Sequence, residues 1–140
     1  MKNNRFAFTL VELMIVVTIV CILAIVGIAS HARSKNKAIS NEAIANVRLI
    51  AAAERILKME STNDAYVDCD DTSDCNTKLR LNLAANINWG YRVDASGAGP
   101  TAAATITATS VAYSGCTYSL DSTDFNASPS KGGTCPAGMN

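Results

Sequence analysis

Between Phe8 and Ala29 the chain reads FTLVELMIVVTIVCILAIVGIA, 22 residues whose only ionisable carboxylate is Glu12. At about 1.5 Å per residue, a helix of that length spans the roughly 30 Å hydrocarbon core of a bilayer. Two plain readings exist. A secretory signal cut after Ala29 fits the small residues Gly27 and Ala29, but the run exceeds an ordinary apolar region of about 7–15 residues. A simple anchor fits the length and leaves Glu12 unexplained. An ionised side chain deep in a bilayer costs on the order of 2.5–3.5 kcal/mol even on the lenient insertion scale.

The residues around Glu12 supply a reason. A basic leader with Lys2 and Arg5 ends in a small residue, Ala7; Phe8, Thr9, Leu10, Val11 and Glu12 follow, and then the unbroken apolar run. Over residues 1–30 this closely resembles the class III signal of type IV pilins and pseudopilins. The resemblance implies cleavage by a prepilin peptidase between Ala7 and Phe8, on the cytoplasmic side, and N-methylation of Phe8. It makes Glu12 the fifth residue of the mature chain. The family usually has glycine before the cut, where this chain has Ala7. Family members often carry a glycine and a proline that loosen the apolar helix in the filament. Cys21 and Ala29 stand there instead.

Cleavage would create a positive amine on Phe8. In a filament the helices bundle in a core as dry as the bilayer, so an unpaired charge there is strongly unfavourable and a paired one tolerable. The Glu12 carboxylate of one subunit facing the Phe8 amine of another would set axial register, because misaligned subunits leave both charges unpaired. Residues 1–7 must leave first, since they would bury Lys2 and Arg5. Arg33, Lys35 and Lys37 follow the apolar run, so the basic residues at its two ends do not by themselves place the N-terminus inside. That orientation follows from the resemblance and from the cysteines.

Past Ala29 the pattern stays helical, without Gly or Pro through Glu60. Ile39, Ala43, Val47, Ile50, Ala53 and Leu57 recur at spacings of three and four, one apolar stripe of an amphipathic helix. The segments join into one helix from about 8 to 60, roughly 80 Å long; two helices breaking near Ser30 is the alternative. "STND" ends the helix, and Tyr66 to Asn76 reads as a connecting loop. Ile87, Trp89, Tyr91 and Val93 then alternate with polar or small residues as a half-buried strand. "DASGAGP" is a turn, and Thr101–Ser110 and Thr117–Asp121 read as further strands. Leu79, Leu81 and Leu83 suit a short strand or a helical turn. The expected fold is α+β and pilin-like, a long N-terminal helix packed on a small antiparallel sheet. Its parts are a leader (1–7), a transmembrane or filament-core half-helix (8–29), an amphipathic half-helix (30–60) and a globular region (61–140).

Cys21 lies inside the apolar run and reads as a small core residue. Cys69, Cys75, Cys116 and Cys135 are expected to form disulfides in an exported domain. Of three possible pairings, Cys69–Cys75 and Cys116–Cys135 are favoured because each is local and closes a loop. The second would staple the C-terminal segment to the last strand, as is common in pilins. Zinc is not expected, because His31 is remote and no C-x-x-C spacing occurs. Asp68, Asp70, Asp71 and Asp74 crowd one loop, and Asp121 and Asp124 another. Their spacing is not that of a calcium loop, and solvated carboxylates are the expectation.

No nucleophile–base–acid set appears, so no enzyme activity and no cofactor are expected. The 12 basic and 12 acidic residues balance, which gives no reason to expect nucleic-acid binding. The resemblance implies a structural subunit of a type IV pilus. Its partners would be copies of itself, the prepilin peptidase, inner-membrane assembly machinery and, before assembly, membrane lipid. It would pass from a single-pass inner-membrane position to an extracellular filament. The alternatives are a pseudopilin of a type II secretion system, in a periplasmic filament, or a minor pilin of a DNA-uptake machine. More distant is an unrelated membrane-anchored binding domain. Minor subunits at a filament tip often lack the glutamate, so Glu12 favours a subunit of the shaft.

Overall fold

The computed structural model describes residues 9–84 and 88–139, the side chains of 25–30 excepted. The leader, Ala7, Phe8 and the expected strand residue Ile87 lie outside the described residues.

One helix, α1, runs unbroken from Leu10 to Glu60. Thr9 caps its start: the backbone is extended there, and the side-chain oxygen accepts the Glu12 N–H at 3.2 Å. At the other end Ser61 is extended, its N–H still bonded to the Leu57 carbonyl and its hydroxyl accepting the Ala65 N–H. The chain then passes through α2 (Thr72–Lys78) and into four strands, β1 (Trp89–Ser96), β2 (Ala103–Ser110), β3 (Thr117–Asp121) and β4 (Ser130–Gly132). These form one antiparallel sheet in sequence order, with Val93 opposite Ile106 and Ile106 opposite Leu120. This is the α+β, pilin-like arrangement that the periodicities describe.

The core lies between α1 and the sheet. Ala43, Val47, Ile50 and Ala53 are buried, with Ile39 and Leu57 packed at the margin. Trp89, Tyr91, Val93, Ile106, Ala108, Tyr118 and Leu120 face them from alternate strand positions. Polar bonds fix the register of helix on sheet. Trp89 Nε1–H donates to the Ile39 carbonyl, Ser40 Oγ and the Tyr118 hydroxyl lie 2.7 Å apart, and Asn46 Nδ2 donates to the Tyr91 hydroxyl.

Three sequence expectations change. The segment Tyr66–Asn76 is not all loop, since α2 begins at Thr72. Asp71 caps it by accepting the N–H groups of Ser73 and Asp74. Of Leu79, Leu81 and Leu83, Leu79 closes the last turn of α2 with its N–H on the Cys75 carbonyl, whereas Leu81 and Leu83 lie in neither strand nor helix. The Asn76 side chain donates to the Leu83 carbonyl and accepts the Leu83 N–H, doing for this segment what a neighbouring strand would do. "DASGAGP" is not all turn either, because β1 continues through Ser96. The chain reverses from Gly97, whose φ of 74° lies in the left-handed region.

Candidate assembly surface

Glu12 is the third helical residue after the Thr9 cap, so Thr9-x-x-Glu12 has the spacing of a capping box. A carboxylate in the first turn also meets the positive end of the helix dipole. Glu12 is exposed. All around it, so are Leu10, Val11, Leu13, Met14, Ile15, Val16, Val17, Ile19, Val20, Ile22 and Leu23. A helix apolar on every side has no partner within its own subunit, and water is a poor solvent for it. Among the described residues no helix is long and apolar enough to cross a membrane. The run Phe8–Ala29 extends at both ends beyond the side chains described.

A second apolar surface lies further along α1. Ala45, Leu49, Ala52, Ile56 and Met59 are all exposed, with Leu49, Ile56 and Met59 at 47%, 54% and 76%. Their spacing of four, three, four and three residues puts them on one stripe, on the side of α1 away from the buried Val47, Ile50 and Glu54. Sequence reasoning followed the buried stripe and missed this one, although the same spacing was there to read. Its far end borders a shallow groove of Ile56, Leu57, Leu79 and Leu81, closed by the Arg80–Glu60 ion pair.

Disulfides join Cys69 to Cys75 and Cys116 to Cys135. The first ties α2 to the chain crossing β1, where Cys69 and Val93 exchange backbone bonds. The second closes the C-terminal segment onto the start of β3. Gly133 there has φ 70°, and a Cβ would fall 1.6 Å from the Gly115 carbonyl oxygen, so only glycine fits. Beyond it, the Ala137 carbonyl accepts from Asn36 Nδ2, and Met139 is buried. Cys21 is free and exposed, not a core residue of the single subunit.

The acidic loops are spent on backbone donors. Asp71 caps α2, and Asp68 accepts the Ala95 N–H. Asp74 accepts from Asp70 N and pairs with Lys78, and its carboxyl is held below the usual range first by the Lys78 bond and then by the Asp70 N–H. Asp121 is lowered mainly by the Thr123 N–H, and Asp124 accepts the Asn126 N–H. Among the described residues no group of three or more His, Cys, Asp or Glu stands together to hold a metal ion.

Sequence reading also passed over Glu54. It is a carboxylate on the buried side of α1, fully shielded from solvent. Its Oε2 accepts the Val67 N–H at 2.9 Å, and Oε1 has no hydrogen-bond partner among the described residues. Burial, chiefly, pushes its pKa up to about 7.

The prokaryotic N-terminal methylation motif matches residues 2–28. That motif is the class III signal, and the match supports a protein of the type IV pilin and pseudopilin class. It points to a structural, pilin-type chain. No curated protein and no solved structure matches the chain significantly.

Proposed function

We propose that this chain is the structural subunit of a type IV pilus. A prepilin peptidase cuts between Ala7 and Phe8, the Phe8 amine is methylated, and residues 8–29 hold the subunit in the inner membrane until it joins a homopolymer. The observation that carries this reading is the pairing of the methylation motif with a helix whose exposed apolar side chains encircle it from Leu10 to Leu23. Such a surface needs lipid first and other subunits afterwards. Glu12 meets the Phe8 amine of another copy and fixes register. The Ala45–Met59 stripe is a second place for apolar helices of other copies to pack. Two disulfides suit an oxidising compartment outside the cytoplasm, and the outward Thr105, Thr107 and Thr109 of β2 suit a solvated outer surface of the filament. Mass spectrometry of sheared fibres tests the reading. A chain beginning with methylated Phe8 is expected; one beginning at Ser30 overturns it.

A further inference from the structure

The segment from Ser61 to Cys69 crosses from the end of α1 to the edge of β1, where Asn63 accepts the Gly99 N–H and Asp68 accepts from the Ala95 N–H and Lys78 Nζ. Asp64 and Ala65 bond back to Ser61, and Cys69 bonds to Val93. Between them, the Val67 N–H ends on Glu54 Oε2. That bond reaches into a site shielded from solvent, where the other carboxylate oxygen, Oε1, has no partner among the described residues. We propose that Glu54 is a proton-operated latch, which fastens the 61–68 segment to α1 when protonated and releases it when ionised.

The surroundings leave an ionised Glu54 without compensation. Asp68, on the latched segment, repels it. Arg55 and Lys58 flank it on α1 but lie over the Phe125 and Tyr66 rings, at 5.5 Å and 4.3 Å. On β1 the ions are Arg92 and Asp94, which pair with each other on the exposed side. The remaining titratable group of β1 is the buried Tyr91 phenol, raised by its own burial and bonded to Asn46. Asp124, beside Phe125, is taken up by the Asn126 N–H. Among the described residues a charge on Glu54 therefore has the Val67 N–H for support, and opening the segment to water is its way out.

The direction follows from linkage. The closed state holds the Glu54 proton up to about pH 7, whereas a solvated carboxyl loses it near its ordinary value of 4.5. Closure is therefore fully favoured below the lower value, weakens as pH rises between the two, and is constant above the higher one. What moves is the Tyr66–Phe125 edge contact, 5.6 Å between centroids, with the Lys58 and Arg55 side chains on it. These flank the Ile56–Met59 end of the exposed stripe. That consequence for a filament rests on the subunit reading above; the latch itself does not.

Amide hydrogen exchange on the full chain in detergent micelles tests it, with rates corrected for intrinsic exchange. Between about pH 5 and about pH 7.5, protection across residues 65–68 is expected to fall on the order of 50-fold in the native chain. In Glu54→Gln the fall is expected to vanish. Equal protection of the native chain at both pH values overturns the latch, and so does an undiminished fall in Glu54→Gln. Should that variant not fold, carboxyl-carbon NMR of native Glu54 decides. A midpoint near 7 supports the latch, and one in the ordinary carboxyl range overturns it. Neither measurement requires fibres, so failure of the pilus reading stays distinguishable from failure of the latch.

Discussion

The indole Nε1–H of Trp89 donates to the Ile39 carbonyl at 2.9 Å across 50 residues of sequence. The next helix residue, Ser40, bonds the Tyr118 hydroxyl, and the Trp89 and Tyr118 rings meet edge to face with centroids 5.5 Å apart. One turn of α1 thus grips two neighbouring rings of the sheet, so hydrogen bonds as well as apolar area set the angle at which the sheet sits on the helix.

Replacing Trp89 tests that grip. Trp89→Phe keeps most of the ring area and loses the bond to Ile39, at a cost of about 1–2 kcal/mol. Trp89→Ala also opens a cavity and is expected to cost about 3–5 kcal/mol. Denaturant unfolding followed by circular dichroism measures both. A Trp89→Phe variant as stable as the native chain would remove the bond from the account.

The disulfides are expected to differ in weight. The Cys116–Cys135 bridge spans 19 residues and Cys69–Cys75 spans 6. Loop-closure entropy then assigns about 3 kcal/mol to the first and about 2 kcal/mol to the second. The longer bridge also holds the turn that places Met139 in the core. Replacing both cysteines of each pair by serine and comparing melting tests the order. Non-reducing peptide mapping is expected to return these two pairs with Cys21 free; a Cys75–Cys116 peptide would contradict the loop assignment.

The sequence announced the elements whose side chains repeat. The i, i+3, i+4 spacing from Ile39 to Leu57 marked the buried face of α1, and Trp89, Tyr91 and Val93 marked β1, because burial on one side imposes a period. The parts that stayed hidden have no period. β4 is three residues, Ser130 to Gly132, brought beside β3 by the neighbouring Cys116–Cys135 bridge. α2 depends on one cap, Asp71, inside an acidic run that reads as loop. Glu54 looks like any polar helix residue until the 61–68 segment closes over it. Of the assembly surface, Glu12 stood out because it interrupts an apolar run. The Ala45–Met59 stripe did not, because a helix with two apolar faces blurs the moment that reveals one.

Glu12→Ala is expected to leave the subunit in the membrane, held there slightly better for losing a charge. Its fibre yield is expected to fall at least about tenfold, because the Phe8 amine loses its only expected counter-charge in a dry core. The Thr9 cap remains, so the helix start survives. Circular dichroism of the variant separates a lost helix from lost assembly. Unchanged yield of sheared fibre would refute the register argument.

The filament is expected to be an electrical insulator. Some pilins are proposed to carry electrons through closely spaced aromatic rings along the filament core. From Thr9 to Glu60 this chain contains no Phe, Tyr or Trp, so Phe8 is the one ring the mature helix could supply. Phe6 belongs to the leader, and the other rings belong to the globular part, where they do other work. Trp89 and Tyr118 fill the core as one pair, Tyr66 and Phe125 form another at the edge of the helix, and Tyr91 and Tyr113 are bonded to Asn46 and Asn36 of α1. Ring-to-ring transfer along the axis needs neighbours within about 7 Å, the upper end of stacking contact. One ring per helix cannot supply that along a core built from α1. Axial conductance of a purified, cytochrome-free fibre is therefore expected to match that of a non-conducting protein control. High conductance that disappears on replacing Phe8 or the globular tyrosines would show that the rings connect between subunits after all.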